Sequence, residues 1–224
     1  MTAMLEMSRL SATIGGVKVL QDVDLALDAG SFVGLVGRNG AGKTTLMRAV
    51  MGLIATDGGR LAFLDRDLGV EAAMRRAALG IGYMPEDRRL VPDLNVEENV
   101  LVPAWATGEA DSARRLGFIY EVLPEVADFR GRRPSQLSGG QQKLVALARA
   151  LMAGTRLLLL DEPFEGVAPV LAQRLAAAIG KLRATGVAVL LSESDYVHSE
   201  TLVDDFYVIE RGVVTRGRPG QGEA

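Results

Sequence analysis

A glycine-rich loop with one lysine is the strongest chemical signal in the sequence. Residues 37–44 match the pattern G-x-x-x-x-G-K-[ST] between an apolar run that ends at Val36 and a helical pattern. Glycines let backbone N–H groups turn toward a phosphate, and the helix N-terminus adds partial positive charge. We expect Lys43 to reach the β- and γ-phosphates of a nucleotide and the Thr44 hydroxyl to bind Mg²⁺. The residues predicted to bind the nucleotide here are Gly37, Arg38, Asn39, Gly40, Ala41, Gly42, Lys43, Thr44 and Thr45.

An acidic pair follows a run of four leucines. Leu157–Leu160 lead directly into Asp161 and Glu162. The carboxyl end of a buried strand is the place where α/β folds bind ligands. Asp161 is therefore predicted to hold Mg²⁺ through water, and Glu162 to act as the general base on an attacking water. Considered alone, Asp161 and Glu162 could simply be solvated charges at the end of a strand. The phosphate loop in the same chain favours the catalytic interpretation.

A second anion site is predicted at a Ser-Gly-Gly sequence before an amphipathic helix. Ser138 is well suited to cap this helix, and the two glycines that follow expose bare N–H groups. A single nucleotide has little use for two such sites on one chain, so we expect the second to bind the ATP of another molecule. The residues of this site are Leu137, Ser138, Gly139, Gly140 and Gln141.

The elements that position these residues follow an alternating pattern. Three apolar runs without alternation, at 32–36, 157–160 and 187–191, predict strands buried on both faces of a parallel sheet. Strand–helix alternation predicts right-handed crossovers and an α/β core. The predicted helices are Lys43–Met51, Glu71–Ala78, Ala110–Leu123, Gln141–Leu151 and Pro169–Arg183.

The remaining segments do not continue the parallel sheet. Residues from about 90 to 137 contain four prolines and are predicted to form a mostly helical insertion. Antiparallel strands are predicted at Met4–Leu10, Val17–Leu27, Asp205–Ile209 and Val213–Arg216. The chain is thus expected to be one domain over 1–224. Its ATP-binding core would cover 1–88 and 146–224, and a helical subdomain over 89–145 would carry the second anion site. The polar segment 218–224 is expected to fray.

Composition excludes several classes of protein. The 224 residues are 48% hydrophobic and 24% charged, which is typical of a globular chain. The net charge is −3 and only 5% of residues are aromatic, so a nucleic-acid partner is not expected. The absence of cysteine excludes disulfides and thiolate chemistry. No signal peptide or span of roughly 20 apolar residues is recognisable, so we expect a cytoplasmic protein that reaches a membrane only through a partner.

With these motifs in this order, the sequence resembles the ATPase subunits of ABC transporters along nearly its full length. The resemblance implies a P-loop NTPase (RecA-like) core with a mostly parallel sheet, an antiparallel β subdomain and a helical insertion. It also implies ATP hydrolysis with Mg²⁺, and a head-to-tail dimer in which Ser138 and Gly140 contact the γ-phosphate bound by the opposite subunit. Membrane permease subunits would dock on the insertion around residues 90–104, which would place the chain on the inner face of the membrane.

Three further segments resemble the ATPases of branched-chain amino-acid importers. They are residues 84–89, 95–99 and 166–169. Most ABC ATPases carry Gln where Glu86 stands, and an Asp where this chain has Ala168-Pro169. The resemblance implies import of branched-chain or related amino acids, with a periplasmic substrate-binding protein as an indirect partner.

Three positions depart from the family pattern. Ile14 stands where many members stack the adenine on an aromatic ring, which predicts weaker stacking. Glu86 replaces the Gln that touches Mg²⁺ and water. Its carboxylate can still bind the metal, so we expect Thr44, Asp161 and Glu86 to be the Mg²⁺ ligands, although Glu86 adds negative charge beside the γ-phosphate. Ser194 stands where a catalytic His is usual, and a hydroxyl can donate to a phosphate oxygen without carrying charge. The only histidine, His198, could substitute for it, but an exposed or locally paired residue is the simpler interpretation.

Two alternative functions follow from these departures and from the fold class. One is a weakly hydrolysing subunit of an asymmetric ABC pair, which Ser194 and Glu86 favour and the retained Glu162 opposes. The other is a soluble ABC ATPase that acts on nucleic acid or ribosomes. The acidic pI of about 5.4 and the absence of tandem cassettes oppose this second alternative.

Overall fold

A computed structural model describes residues 3–217 of the chain. Its strands form two sheets, and the fraying expected for 218–224 lies outside the described residues. The strands are β1 (Leu5–Ile14), β2 (Val17–Leu27), β3 (Phe32–Val36), β4 (Gly58–Phe63), β5 (Arg66–Asp67), β6 (Ile81–Met84), β7 (Leu157–Asp161), β8 (Ala188–Glu193), β9 (Asp205–Glu210) and β10 (Val213–Arg216).

The six-stranded sheet has the order β10-β9-β3-β8-β7-β6 and is parallel except for β10. Every residue of β3, β7 and β8 is buried, which confirms the three strands predicted from the apolar runs. The predicted antiparallel pair at the end of the chain is present as β9 and β10. However, β9 also pairs in parallel with β3, so it belongs to the central sheet.

The second sheet is antiparallel and has the order β2-β1-β4-β5. The predicted strands Met4–Leu10 and Val17–Leu27 correspond to β1 and β2, which pair as a hairpin; β1 continues beyond its predicted end to Ile14, whereas β2 has the predicted bounds. The remaining strands are β4, which begins with two glycines and an arginine, and β5, which has only two residues. Neither shows the alternation of apolar residues that indicates a strand. They were not predicted.

Seven helices occur in the described residues, together with short 3₁₀ turns. The predicted helix 141–151 begins earlier, at Gly139, while the helix predicted over 71–78 shortens to four residues and a 3₁₀ turn. The helices are α1 (Lys43–Val50), α2 (Ala73–Arg76), α3 (Val96–Thr107), α4 (Ser112–Val122), α5 (Pro124–Asp128), α6 (Gly139–Ala153) and α7 (Pro169–Lys181).

Helices α3, α4 and α5 pack with α6 and form the helical insertion between β6 and β7. The boundary predicted at 145/146 falls inside α6, which is one continuous helix. Among residues 3–217, no helix is long and apolar enough to cross a membrane.

The central sheet separates two hydrophobic cores. Leu158 and Leu160 face the core formed with α3 to α7, while Leu157 and Leu159 face the core formed with α1 and the antiparallel sheet. This alternation follows from strand geometry, because successive side chains point to opposite faces. Residues at the carboxyl ends of the parallel strands are thereby held between two packed layers.

Candidate nucleotide-binding and hydrolysis site

The phosphate loop joins the end of β3 to the N-terminus of α1. Gly42 precedes the helix with φ 117°, a backbone conformation that an L side chain rarely adopts. A Cβ on Gly37 would lie 2.3 Å from the Ile209 carbonyl oxygen, so only glycine fits there. A cavity of about 330 Å³ opens beside this loop. Its lining residues are Val19, Asn39, Gly40, Gly42, Lys43, Thr44, Thr45, Glu86 and Glu162.

Asp161 is fully buried at the end of β7 and accepts three hydroxyl hydrogen bonds. Thr44 Oγ1 lies 3.2 Å and Ser192 Oγ 2.8 Å from Oδ1, while the Tyr83 hydroxyl lies 3.1 Å from Oδ2. Burial raises the pKa of Asp161, and these three hydrogen bonds act in the opposite direction. Sequence reasoning missed Ser192 and Tyr83, although both lie near the ends of strands that flank β7.

Glu162 and Lys43 form a buried ion pair. Their Oε1 and Nζ atoms are 3.0 Å apart, and the side chains are only 5% and 3% exposed. Lys43 Nζ also donates to the carbonyl oxygens of Gly37 and Arg38. The backbone of Glu162 has φ 48°, which is uncommon for a residue with a side chain and often marks a functional site. The predicted base and the predicted phosphate ligand therefore share one cavity.

Ser194 lies beside the same carboxylate. Its hydroxyl is 2.8 Å from Asn39 Oδ1 and 3.3 Å from Glu162 Oε2, so the single proton has two competing acceptors. His198 is exposed, and its ring packs against Phe164 at a centroid distance of 5.5 Å. The segment after Ser194 forms bends and turns, so no helical turn connects Ser194 to His198, and His198 is the exposed residue of the simpler interpretation.

Glu86 is exposed and lines the cavity together with Lys43 and Glu162. A second carboxylate beside that of Glu162 in this cavity adds negative charge where phosphate charge must be accommodated.

We expect Glu86→Gln to raise the maximal rate of ATP hydrolysis about two- to tenfold. This is the rate change expected when one partly screened repulsion, between the Glu86 carboxylate and the phosphate charge, is removed. Steady-state phosphate release measures the rate. Asp87→Asn is the control, because Asp87 is an exposed carboxylate paired with Arg89 and does not line the cavity. An unchanged or lower rate for Glu86→Gln would contradict the repulsion.

Ile14 is not brought into this cavity. It is 47% exposed at the end of β1 and faces Val17 across the hairpin. Val19 of β2 lines the cavity instead. Sequence reasoning overlooked Val19, since a valine in an alternating strand carries no chemical signal.

The second predicted anion site forms the N-terminus of α6. Ser138 Oγ accepts from the Gln141 amide at 3.2 Å, and Gln141 Oε1 accepts from the Ser138 amide at 3.0 Å, which completes a capping box. Ser138 and Gly139 are exposed. None of residues 137–141 lines the cavity that contains Lys43, so this helix end does not contribute to that cavity in its own chain.

Glu193 is a buried carboxyl that sequence reasoning missed, because it ends an otherwise apolar strand. It lies at the end of β8, is 7% exposed and accepts from the Phe164 amide at 3.3 Å. Burial raises the pKa of Glu193 to about 8. The charges of Glu162 and Asp195 add to this rise, while the Phe164 amide and Lys143 oppose it.

This raised pKa makes the stability of the protein depend on pH. Between the ordinary value of 4.5 and about 8, the unfolded chain releases the Glu193 proton while the folded chain retains it. The free energy of unfolding is therefore expected to fall as pH rises through this window and to level off above it. Glu193→Gln should remove this part of the dependence, as measured by Tm at several pH values. Parallel Tm profiles for both proteins would contradict the assignment.

Comparison with known proteins agrees with this geometry. Residues 20–165, more than half of the chain, match the family described as ABC transporter. The chain belongs to the ABC transporter family. The branched-chain amino acid transport ATP-binding protein BraG of Pseudomonas aeruginosa is 34% identical over 93% of this chain and 90% of its own length. The lipopolysaccharide export ATP-binding protein LptB of Escherichia coli is 31% identical over 97% and 91%, respectively.

The fold is shared with solved ABC cassettes. A nucleotide-free ATP-binding cassette from an ABC transporter superposes with a TM-score of 0.85 at 27% identity, covering 97% of this chain and 92% of that one. This confirms the predicted fold class. The chain is an ATP-binding and ATP-hydrolysing subunit of an ABC transporter. Its relatives include a branched-chain amino acid transport subunit and a lipopolysaccharide export subunit, so family membership leaves the cargo open.

Proposed function

We propose that the chain is the motor subunit of an importer of branched-chain or related amino acids, and that it hydrolyses ATP as a head-to-tail dimer. The observation that carries the motor role is the contact between Lys43 and Glu162 in one cavity, beside the buried Asp161. Amino-acid import rests on the similarity to BraG and on the importer-like segments around Glu86 and Pro169.

Mg²⁺ is part of this proposal because the donor set suits it. Thr44 and Asp161 present a hydroxyl and a carboxylate oxygen to each other, and oxygen ligands are those that Mg²⁺ prefers. No group of three or more acidic or histidine side chains in residues 3–217 could hold a metal by itself. The ion would therefore depend on phosphate oxygens, whose charge it would neutralise.

The chain's own residues supply the rest of the chemistry. The loop amides and Lys43 bind the phosphates, so Lys43 must exchange its bond with Glu162 for one with phosphate. This exchange frees the Glu162 carboxylate to accept a proton from water. Ser138 and Gly140 of a second copy would complete the site, since these residues lie outside the cavity of their own chain.

The permease subunits would dock on the helical insertion. Two apolar side chains near the segment predicted for this contact are exposed: Val91 at 38% and Trp105 at 57%. The periplasmic binding protein would act only through the permease.

The dimer is tested with Glu162→Gln, which should hold ATP without turnover. Size-exclusion chromatography of this variant should show a dimer with ATP and a monomer without it. Adding Ser138→Arg should abolish the dimer but leave ATP binding intact. Ser112→Arg, the same change at the first residue of α4, is the matched control and should still dimerise. A Glu162→Gln protein that binds ATP and stays monomeric would overturn the head-to-tail site.

The cargo is tested with the complex that co-purifies with the tagged chain from detergent-solubilised membranes. Reconstituted in liposomes with ATP inside and a periplasmic extract containing the binding protein outside, it should take up labelled leucine, and the Glu162→Gln complex should not. ATP hydrolysis that responds to lipopolysaccharide and not to amino acids would exclude the importer.

A weakly hydrolysing partner subunit is the second candidate. Ser194 favours it, because its proton goes to Asn39 at 2.8 Å and only more distantly to Glu162 at 3.3 Å. Under this alternative the purified chain binds ATP, but wild type and Glu162→Gln hydrolyse it equally slowly.

A further inference from the structure

A buried lysine joins the second anion site to the turn that carries Glu162. Lys143 lies in α6 and is only 6% exposed. Its Nζ donates to the carbonyl oxygens of Glu162 at 2.8 Å, Pro163 at 3.3 Å and Glu165 at 2.5 Å. An ammonium group has three protons, so this one turn engages its whole donor capacity.

The environment of Lys143 indicates a dedicated contact with the backbone. Burial lowers the pKa of Lys143, and Glu193 is the main charge that opposes this shift. Within the described part of the chain no ion pair includes the Lys143 ammonium. A buried cation without an ionic partner is costly, so its three carbonyl acceptors are what keep it there.

The backbone of Glu162 is held from two directions. Its amide donates toward the carbonyl and hydroxyl oxygens of Ser192 on β8, at 3.1 and 3.3 Å. Its carbonyl oxygen accepts from Lys143 on α6. The β8 contact belongs to the central sheet, whereas the α6 contact belongs to the helix that begins at the second anion site. Displacement of α6 relative to the sheet would therefore act directly on the residue with φ 48°.

The distance along α6 is short. Ser138 caps the helix, and Lys143 follows five residues later, a rise of about 7.5 Å. The capping box holds the first turn, so Ser138 and Lys143 belong to one rigid unit.

We propose that Lys143 is a positioning residue that couples the two ATP sites of the dimer. ATP bound by the partner subunit contacts Ser138, shifts α6 and, through Lys143, sets the backbone of Glu162 in the subunit that carries Lys143. The coupling rests on the head-to-tail dimer proposed above. It predicts cooperative hydrolysis, because the base in one site responds to nucleotide in the other.

The test compares Lys143→Met with Lys143→Arg and with Arg115→Met as the matched control. Arg115 also binds carbonyl oxygens, those of Leu151 and Gly154, but at the far end of α6. Hydrolysis rate against ATP concentration gives kcat, KM and the Hill coefficient. Binding of a fluorescent ATP analogue to dilute, monomeric protein gives the intrinsic affinity.

Lys143→Met is expected to lower kcat about tenfold and to move the Hill coefficient from about 2, the limit for two sites, to about 1. Its monomeric ATP affinity should be unchanged, and Lys143→Arg should recover most of the cooperativity. Arg115→Met should lower Tm without changing the Hill coefficient. If Lys143→Met does not fold, Lys143→Gln, which keeps one donor group, should give an intermediate Hill coefficient.

The possible outcomes distinguish a failure of the coupling through Lys143 from a failure of the head-to-tail dimer. If Glu162→Gln fails to dimerise with ATP, both proposals are wrong. If it dimerises and the Lys143 variants keep a wild-type Hill coefficient, the dimer stands and the coupling is wrong. A lower kcat that follows only the loss of Tm, as in Arg115→Met, would show that Lys143 merely stabilises the fold.

Discussion

Glu162→Gln is expected to lower the rate of ATP hydrolysis by at least about a hundredfold, the contribution typical of a positioned general base. The amide keeps the shape of the side chain, but it does not accept a proton from water. The Glu162 side chain is buried against Lys43 and Ser194, which hold its carboxylate in the cavity. ATP affinity should be retained or increased, since the variant no longer competes with phosphate for Lys43.

Steady-state hydrolysis and ATP titration measure the two quantities separately. Glu165→Gln is the control, because Glu165 follows in the same turn but is exposed and does not line the cavity. Equal turnover by wild type and Glu162→Gln would show that another group accepts the proton, or that the chain is the weakly hydrolysing partner.

Lys43→Met is expected to have two large and separable effects. It removes the cation that faces the phosphates, so ATP binding should weaken at least about tenfold. It also leaves Glu162 buried without its partner, which should destabilise the protein itself by about 3 kcal/mol or more.

A double variant separates the two effects. Lys43→Met with Glu162→Gln removes the unpaired charge, so Tm in the absence of nucleotide should return toward the wild-type value, while ATP affinity stays low. Thermal unfolding and ATP titration of all four proteins complete the cycle. A Lys43→Met protein as stable as wild type would show that the ion pair contributes little in the free protein.

The parts of the fold that were predictable from sequence are those where one local rule dominates. Periodicity alone does not separate a strand from a buried helix in the apolar runs of β3, β7 and β8. Their short length and their flanking glycines or charged residues favour strands. Ser138 as a helix cap followed from its residue type and its place before the amphipathic helical pattern.

The elements that were missed have local sequences that give the opposite signal. Strand β6 has four residues and contains Gly82, which suggests a turn. Packing explains that glycine, since a Cβ there would lie 2.1 Å from the Ala150 carbonyl oxygen of α6. Helix α3 lies in the segment predicted to be mostly helical, but its bounds were not predicted, because Pro103 stands inside it; the capping box of Asn95 and Glu98 fixes its start. Both cases depend on contacts that sequence periodicity does not report.

The candidate site divides in the same way. Lys43, Thr44, Asp161 and Glu162 belong to compact motifs, so their proximity followed from fold class alone. Lys143 and Glu193 each stand beside apolar residues in their own elements. The role of such a charged side chain depends on which elements pack against it, so it is not predictable from the local sequence. Their roles come from backbone groups of the 162–165 turn, which a sequence does not display.

The division of β7 between two cores has a consequence for protein engineering. Its four leucines are chemically identical, so their order carries no information about which of them faces which layer. Parallel pairing with β6 on one side and β8 on the other fixes the register. One leucine inserted into this run would conserve composition and hydrophobicity. It would nevertheless move Asp161 by one pleat and turn its side chain away from Thr44. A mutational scan would thus tolerate many aliphatic exchanges in β7 but no change of its length.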